Sequence, residues 1–174
     1  MVGDRRELCL IKNVSAGGMM VRVYCSIAEG LRLSVELKCG QPITGLVSWA
    51  RDFHVGISFD SPIDVIDILT TSMQGPRPRM PRIEIDSFVT LREGASIYRL
   101  RASDISQGGL KLQCKTRIAP GIDVVVTLPG IEPQPGVVRW TDGDQMGITF
   151  NRMIALPILV EWLDEQREAI RIAD

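Results

Sequence analysis

The sequence is poor in the residue types that build metal and redox centres. It contains one histidine, His54, and four cysteines, Cys9, Cys25, Cys39 and Cys114, none of which forms a Cys-x-x-Cys pair. A structural zinc ion needs a full set of such ligands at short, regular spacings. We therefore expect no metal and no cofactor. The scattered thiols, together with the absence of a signal peptide, predict a cytoplasmic protein.

Net charge and long apolar runs are also lacking. Twenty Lys and Arg residues against 21 Asp and Glu residues leave a net charge of −1 at pH 7, so we expect no duplex nucleic acid as a partner. The aromatic content of 5% disfavours single-stranded nucleic acid, which binds on stacked aromatic rings. The longest apolar run, Ile154 to Leu163, contains Pro157 and Glu161 and is too short to span a membrane.

What the sequence does contain is an internal repeat. The stretch Asn13 to Gly18 returns as Asp104 to Gly109, an offset of 104 − 13 = 91 residues. The same offset superposes Trp49 on Trp140, Gly56 on Gly147 and Phe59 on Phe150. A chain of 174 residues is long enough for two small domains. We predict a first domain over residues 1–74, a linker rich in proline and arginine over 75–81, and a second domain over 82–174.

The hydrophobic pattern predicts a mainly β fold. Leu31, Leu33, Val35 and Leu37 alternate with polar residues, as in a half-buried strand. Several short strands at such spacing favour two small antiparallel β-barrels. Pro62 and Pro157 each precede a stretch with helical periodicity, so we expect a helix after each barrel, the first running from Val65 to Met73. We also expect Trp49 and Trp140 to lie in the two cores.

The repeat is incomplete at its start. Position 1 superposes on position 92, so the first copy begins beyond its own counterpart of the segment Arg82 to Leu91. Either this copy has lost its first strand and the arginines before it, or the chain begins later than the natural one.

A candidate ligand site lies in the second copy. Arg77, Arg79 and Arg82 precede its first predicted strand, and arginine suits phosphate oxygens, the acceptor edge of guanine and flat rings. In the turn that follows, Asp104 offers acceptors to guanine donors, Ser106 adds a hydrogen bond, and Gly108 and Gly109 let the backbone approach a ligand. The alternative is an ordinary polar turn closed by glycine. That alternative is favoured for Asn13, Ser15 and Gly18, the weaker candidates of the first copy.

The arginine cluster, the Asp/Asn-x-Ser-x-x-Gly turn, the late tryptophan and the Gly-x-x-Phe strand resemble the PilZ domain. The resemblance implies a six-stranded β-barrel of the split-barrel type, followed by a C-terminal helix, that binds the bacterial second messenger cyclic di-GMP. It also implies an Arg-x-x-x-Arg motif that grips phosphates and guanine, and a turn motif that embraces one guanine. Here the turn motif is complete at Asp104, Ser106 and Gly109, and Arg82 stands at the second arginine position. Pro78, between Arg77 and Arg79, stands at the first.

The resemblance implies a bacterial cyclic di-GMP receptor, in which the nucleotide changes contacts between domains or with a partner in motility, pilus or exopolysaccharide machinery. The alternative is a degenerate PilZ adaptor that binds no nucleotide and acts through protein contacts in motility, pilus or biofilm control. A homodimer is compatible with either. No nucleophile and base recur at a spacing typical of a catalytic pair, so we do not expect an enzyme.

Overall fold

The computed structural model describes residues 6–37, 42–68, 80–116 and 118–173, with the side chains of the last helix described through Glu168. Two compact units divide the chain, Met1–Pro81 and Arg82–Asp174. Most of the predicted linker, including Arg77 and Arg79, lies outside the described residues. Within those described ranges, no helix is long and apolar enough to cross a membrane.

The first unit is an antiparallel sheet. Its strands are β1 (Leu10–Ser15), β2 (Gly18–Arg22), β3 (Arg32–Glu36), β4 (Pro42–Arg51) and β5 (His54–Phe59). They lie side by side in the order β1-β2-β5-β4-β3. Alternate residues such as Val21, Val47 and Val55 are buried in one core, as the period of two requires. Residues 65–68 are helical, and the rest of the predicted first helix, to Met73, lies outside the described residues.

The second unit is a closed barrel followed by a helix. Its strands are β6 (Ile83–Glu93), β7 (Ser96–Ser106), β8 (Gly109–Gln113), β9 (Asp123–Thr127), β10 (Gln134–Asp142) and β11 (Gln145–Phe150). They close in the order β10-β11-β8-β7-β6-β9. The helix Leu156–Ala173 buries Leu159, Trp162 and Leu163, and the indole N–H of Trp162 donates to the Pro129 carbonyl at 2.7 Å. The prediction of a mainly β chain with a barrel and a C-terminal helix is confirmed for this unit.

The two sheets differ by one strand. β2, β3 and β5 each begin 91 residues before β8, β9 and β11 (109 − 18, 123 − 32 and 145 − 54). β6 pairs with both β7 and β9 and thereby closes the barrel, but the described part of the first unit has no strand at the equivalent place. Among the strands that the structure describes, β1 and β3 are therefore edges, and the sheet is open. A second closed barrel, which the sequence predicts, is not shown by the described residues.

The prediction that the repeated tryptophans lie in the cores is wrong for Trp140. Its side chain is 38% exposed and lies across the outer face of the barrel, where a Cβ added to Gly147 would collide with the indole. Trp49, which is half-buried, covers Gly56 in the same way. A β-bulge interrupts the register between Val138 and Trp140. A bulge shifts the alternation by one residue, so the tryptophan faces outward.

Candidate functional site

The turn between β7 and β8 is fixed by hydrogen bonds and by a close backbone contact. The Ser106 hydroxyl, in a residue only 4% exposed, donates to the Gly109 carbonyl at 3.1 Å. The backbone N–H of Phe150 donates to the Gly108 carbonyl at 2.9 Å. Gly109 lies so close to the Ile148 carbonyl that any side chain there would collide with it. The Ser106 hydrogen bond thus closes the turn on itself, and the two glycines let its backbone lie against β11.

Asp104 lies at the start of this turn and is flanked by two cations. Its Oδ1 is 2.5 Å from the guanidinium of Arg82, and its Oδ2 is 3.6 Å from Lys111 Nζ. The Asp104 side chain is 15% exposed, whereas that of Arg82 is 43% exposed. Arg82 immediately precedes β6, which pairs with β7 in a register that sets Glu84 opposite Asp104. The structure therefore brings Arg82 to the turn motif from 22 residues away.

Two residues of this surface were not predicted as site residues from the sequence. The register places Asp104 opposite Lys111, Lys111 opposite Gly147, and Gly147 opposite Trp140. Because Leu110 and Leu112 point into the core, Lys111 points outward with Asp104. The result is a row across four strands with a carboxylate, an ammonium group and a flat indole. The alternation of Lys111 with Leu110 and Leu112 in the sequence indicates that Lys111 faces outward. The sequence does not indicate which residues of neighbouring strands lie beside it.

The arrangement suits an anionic ligand with hydrogen-bond donors of its own. Arg82 and Lys111 are donors for phosphate oxygens, and the Asp104 carboxylate accepts from a ring N–H or an amino group. The thiol of Cys114, which follows β8 at the other end of the strand from the turn, is less reactive because burial raises its pKa. Among the described residues, no three His, Cys, Asp or Glu side chains lie close enough to hold a metal ion.

The first unit has the same turn without the flanking charges. The Ser15 hydroxyl donates to the Gly18 carbonyl at 3.1 Å, and the Phe59 N–H donates to the Gly17 carbonyl at 2.9 Å, as in the second unit. Asn13 stands in place of Asp104, and Met20 in place of Lys111. The turn is therefore common to both units, and the ion pairs belong to the second.

Comparison with known protein families gives one match. Residues 76–162 match the family model described as the PilZ domain. None of the curated proteins matches the sequence significantly.

Solved structures also resemble the chain. PlzA of Borreliella burgdorferi in complex with c-di-GMP is 12% identical with a TM-score of 0.42, covering 87% of this chain and 79% of that one. The MrkH–c-di-GMP complex of K. pneumonia is 19% identical with a TM-score of 0.41, covering 92% and 82%. YcgR from Escherichia coli in complex with c-di-GMP is 13% identical with a TM-score of 0.38, covering 100% and 85%.

Proposed function

Because the PilZ domain model matches half of the chain, the chain belongs to the PilZ domain family, and we propose that its second unit is a receptor for cyclic di-GMP. The observation that supports this most directly is the ion pair between Arg82 and Asp104, flanked by Lys111. It joins the residue at the second arginine position to the aspartate of the turn motif. Cyclic di-GMP carries two phosphates and two guanines, which are the groups that these side chains complement.

Opening that ion pair costs little at Arg82, which is 43% exposed, since ion pairs open to solvent contribute at most about 1 kcal/mol. Asp104 is only 15% exposed, so its carboxylate needs a new donor when Arg82 leaves it. A ligand phosphate can therefore bind the guanidinium of Arg82, while guanine N–H groups donate hydrogen bonds to the Asp104 carboxylate. Lys111 Nζ is placed to add a second cation, and the exposed indole of Trp140 offers a flat apolar face in the same row.

The proposal extends to the whole chain as a tandem pair. The second unit, with Arg77 and Arg79 of the linker, binds the nucleotide, and the first unit is a degenerate PilZ-like copy that does not. Ligand then changes contacts between the units or with a protein partner, without catalysis. The different residues at the two turns support this division, since Asn13 and Met20 replace Asp104 and Lys111.

A degenerate adaptor that binds no nucleotide is the second candidate. It is favoured by Pro78, which stands where the family places its first arginine. Such an adaptor would use the Arg82–Asp104 ion pair only to hold β6 against β7.

Calorimetric titration of the full chain with cyclic di-GMP separates the two candidates. We expect saturable binding that weakens by about tenfold or more in Arg82→Ala and in Asp104→Ala, since each removes a charged hydrogen bond. Arg32→Ala is the matched control, because Arg32 forms a similar surface ion pair with Asp60 at 2.6 Å in the first unit. Asn13→Ala tests the first turn, and neither control should change the affinity.

Two outcomes would contradict the receptor. A folded wild-type chain that gives no heat at high ligand concentration would leave the adaptor as the remaining candidate. Binding that survives Arg82→Ala and Asp104→Ala but fails in Asn13→Ala would move the site to the first unit.

A further inference from the structure

The two units differ strongly at the end of the β4–β5 hairpin. The first unit carries five cationic or aromatic residues there, Arg22, Tyr24, Arg51, Phe53 and His54, which we call the hairpin patch. At the positions 91 residues later, the second unit carries Gln113, Lys115, Asp142, Asp144 and Gln145. The first unit thus combines cations with aromatic rings at a place where the second has two acids and no ring.

The strand register places Arg22, His54 and Arg51 in one row on the outer face of the first unit. Arg22 pairs with His54 across β2 and β5, and His54 pairs with Arg51 across β5 and β4. Because Val23 and Val55 are buried, the residues that alternate with them point outward. The Arg22 guanidinium lies over the Tyr24 ring at 5.7 Å. The His54 ring nitrogen Nδ1 lies 3.0 Å from the Asp52 carbonyl, which orients the imidazole.

Phe53 is held outward by a strained turn. Asp52 and Phe53 have φ angles of 47° and 61°, in the left-handed region, whereas the equivalent turn of the second unit uses Gly143 at 57°. L-residues other than glycine adopt this conformation at a cost, and a bulky side chain rarely does so. Yet Phe53 is 61% exposed, so packing within the unit does not offset that cost. Strain at an exposed aromatic residue indicates a role outside the fold.

From these observations we propose that the hairpin patch docks an acidic segment of another protein, with an apolar residue of that segment packed on Phe53. The end of a hairpin projects outward, whereas small-molecule sites are concave. Arginine and aromatic residues are the usual anchors of protein interfaces. In the described residues neither Arg22 nor Arg51 has a carboxylate partner. The complementary surface is therefore acidic.

Single-stranded nucleic acid fits the hairpin patch less well. Such ligands follow a longer track of cations with rings at successive bases. Here two arginines lie in one short row, and Asp52 adds a negative charge at the turn. The inference does not depend on cyclic di-GMP, because the patch lies on the unit that we propose does not bind it.

The test is an NMR titration of the isotope-labelled full chain with the capped acidic peptide Glu-Glu-Phe-Glu-Glu. We expect saturable shifts at the amides of Arg22 and of Arg51 to His54, and none at Asp142 to Gln145. The lysine peptide Lys-Lys-Phe-Lys-Lys and a thymidylate oligonucleotide are the matched probes, and neither should shift these amides.

Two variants complete the test. Exchange of the patch for the residues of the second unit, Arg22→Gln with Arg51→Asp and Phe53→Asp, should weaken acidic-peptide binding by about tenfold or more. Asp52→Gly relieves strain but keeps the patch, so it should retain binding and raise the unfolding midpoint. This variant is the control for a change in the hairpin turn that leaves the side chains of the hairpin patch in place. The proposal is overturned if the acidic peptide gives no shifts at millimolar concentration. It is also overturned if the exchange leaves binding unchanged, or if the oligonucleotide binds instead.

Discussion

The same turn lies on an open sheet in the first unit and on a closed barrel in the second. In both, a serine hydroxyl donates to the carbonyl of the last glycine at 3.1 Å, and the backbone N–H of the phenylalanine that ends the last strand, β5 or β11, donates to the carbonyl of the preceding glycine at 2.9 Å. What differs is the outward row, with Asp104 and Lys111 in one unit and Asn13 and Met20 in the other. The serine and glycines of this motif therefore indicate the fold of the turn and not the binding of a ligand. The charges beside them are what can distinguish a ligand-binding copy.

Closure also changes the burial of equivalent positions. Ile11 of β1 is 41% exposed, whereas its counterpart Ala102 of β7 is fully buried between β6 and β8. Val14 is half-buried, and its counterpart Ile105 is fully buried. A strand with a neighbour on one side alone shields its inward residues less well. We expect the two units to respond differently to the same substitution.

The largest difference should follow from cavities at one equivalent position. Leu110 of the barrel is fully buried, and its counterpart Met19 of the open sheet is 5% exposed. Leu110→Ala should lower the free energy of unfolding by about 2–5 kcal/mol. Met19→Ala should fall at or below the lower end of that range, because an open sheet can relax into the space. Urea unfolding followed by NMR signals of each unit measures both.

Exposed Leu46, at 43%, gives the control for the loss of a leucine that lies outside the core. Leu46→Ala should change the stability of the first unit little. A loss in Met19→Ala as large as that in Leu110→Ala would show that the open sheet is as rigid as the barrel.

A smaller difference should separate the two turn serines. Ser106→Ala leaves the turn of the barrel without a buried hydrogen bond, which contributes about 0.5–1.5 kcal/mol. Ser15→Ala removes the same bond from an exposed residue, where water replaces it, so the loss should be less. Thermal unfolding of the two variants measures both. Equal losses would contradict the role of burial.

The sequence predicts local structure well, but it predicts the pairing between distant strands poorly. The alternation around Leu33 and the polar turn at Asp104 are local patterns, and both have the predicted form. Closure depends on β6 pairing with two strands distant in the chain, and Trp140 faces outward because of a bulge. Lys111 joins Asp104 only through the register of β7 and β8. The positive φ angle of Phe53 is likewise set by the hairpin, since phenylalanine does not favour that region by itself.

The smallest expected effect concerns a charge pair of the second unit. Arg101 Nε and Nη2 lie 2.5 Å from the two carboxylate oxygens of Asp86 on β6, while the position equivalent to Arg101 in the first unit is Leu10. The hydrogen bonds from Arg101 lower the pKa of the Asp86 carboxyl. A carboxyl with a lowered pKa in the folded state stabilises the fold above its ordinary value of about 3.9.

This contribution should disappear as the pH falls through the lowered pKa, because the protonated carboxyl no longer attracts Arg101. Both side chains are about half exposed, at 50% and 56%, so water and salt weaken the pair despite its two-bond geometry. Asp86→Asn should therefore differ slightly from wild type at pH 7 and low salt, and less in high salt or in acid. Urea unfolding of both proteins under these conditions measures the difference. A difference that grew in acid would show that Asp86 stabilises β6 through contacts other than its charge.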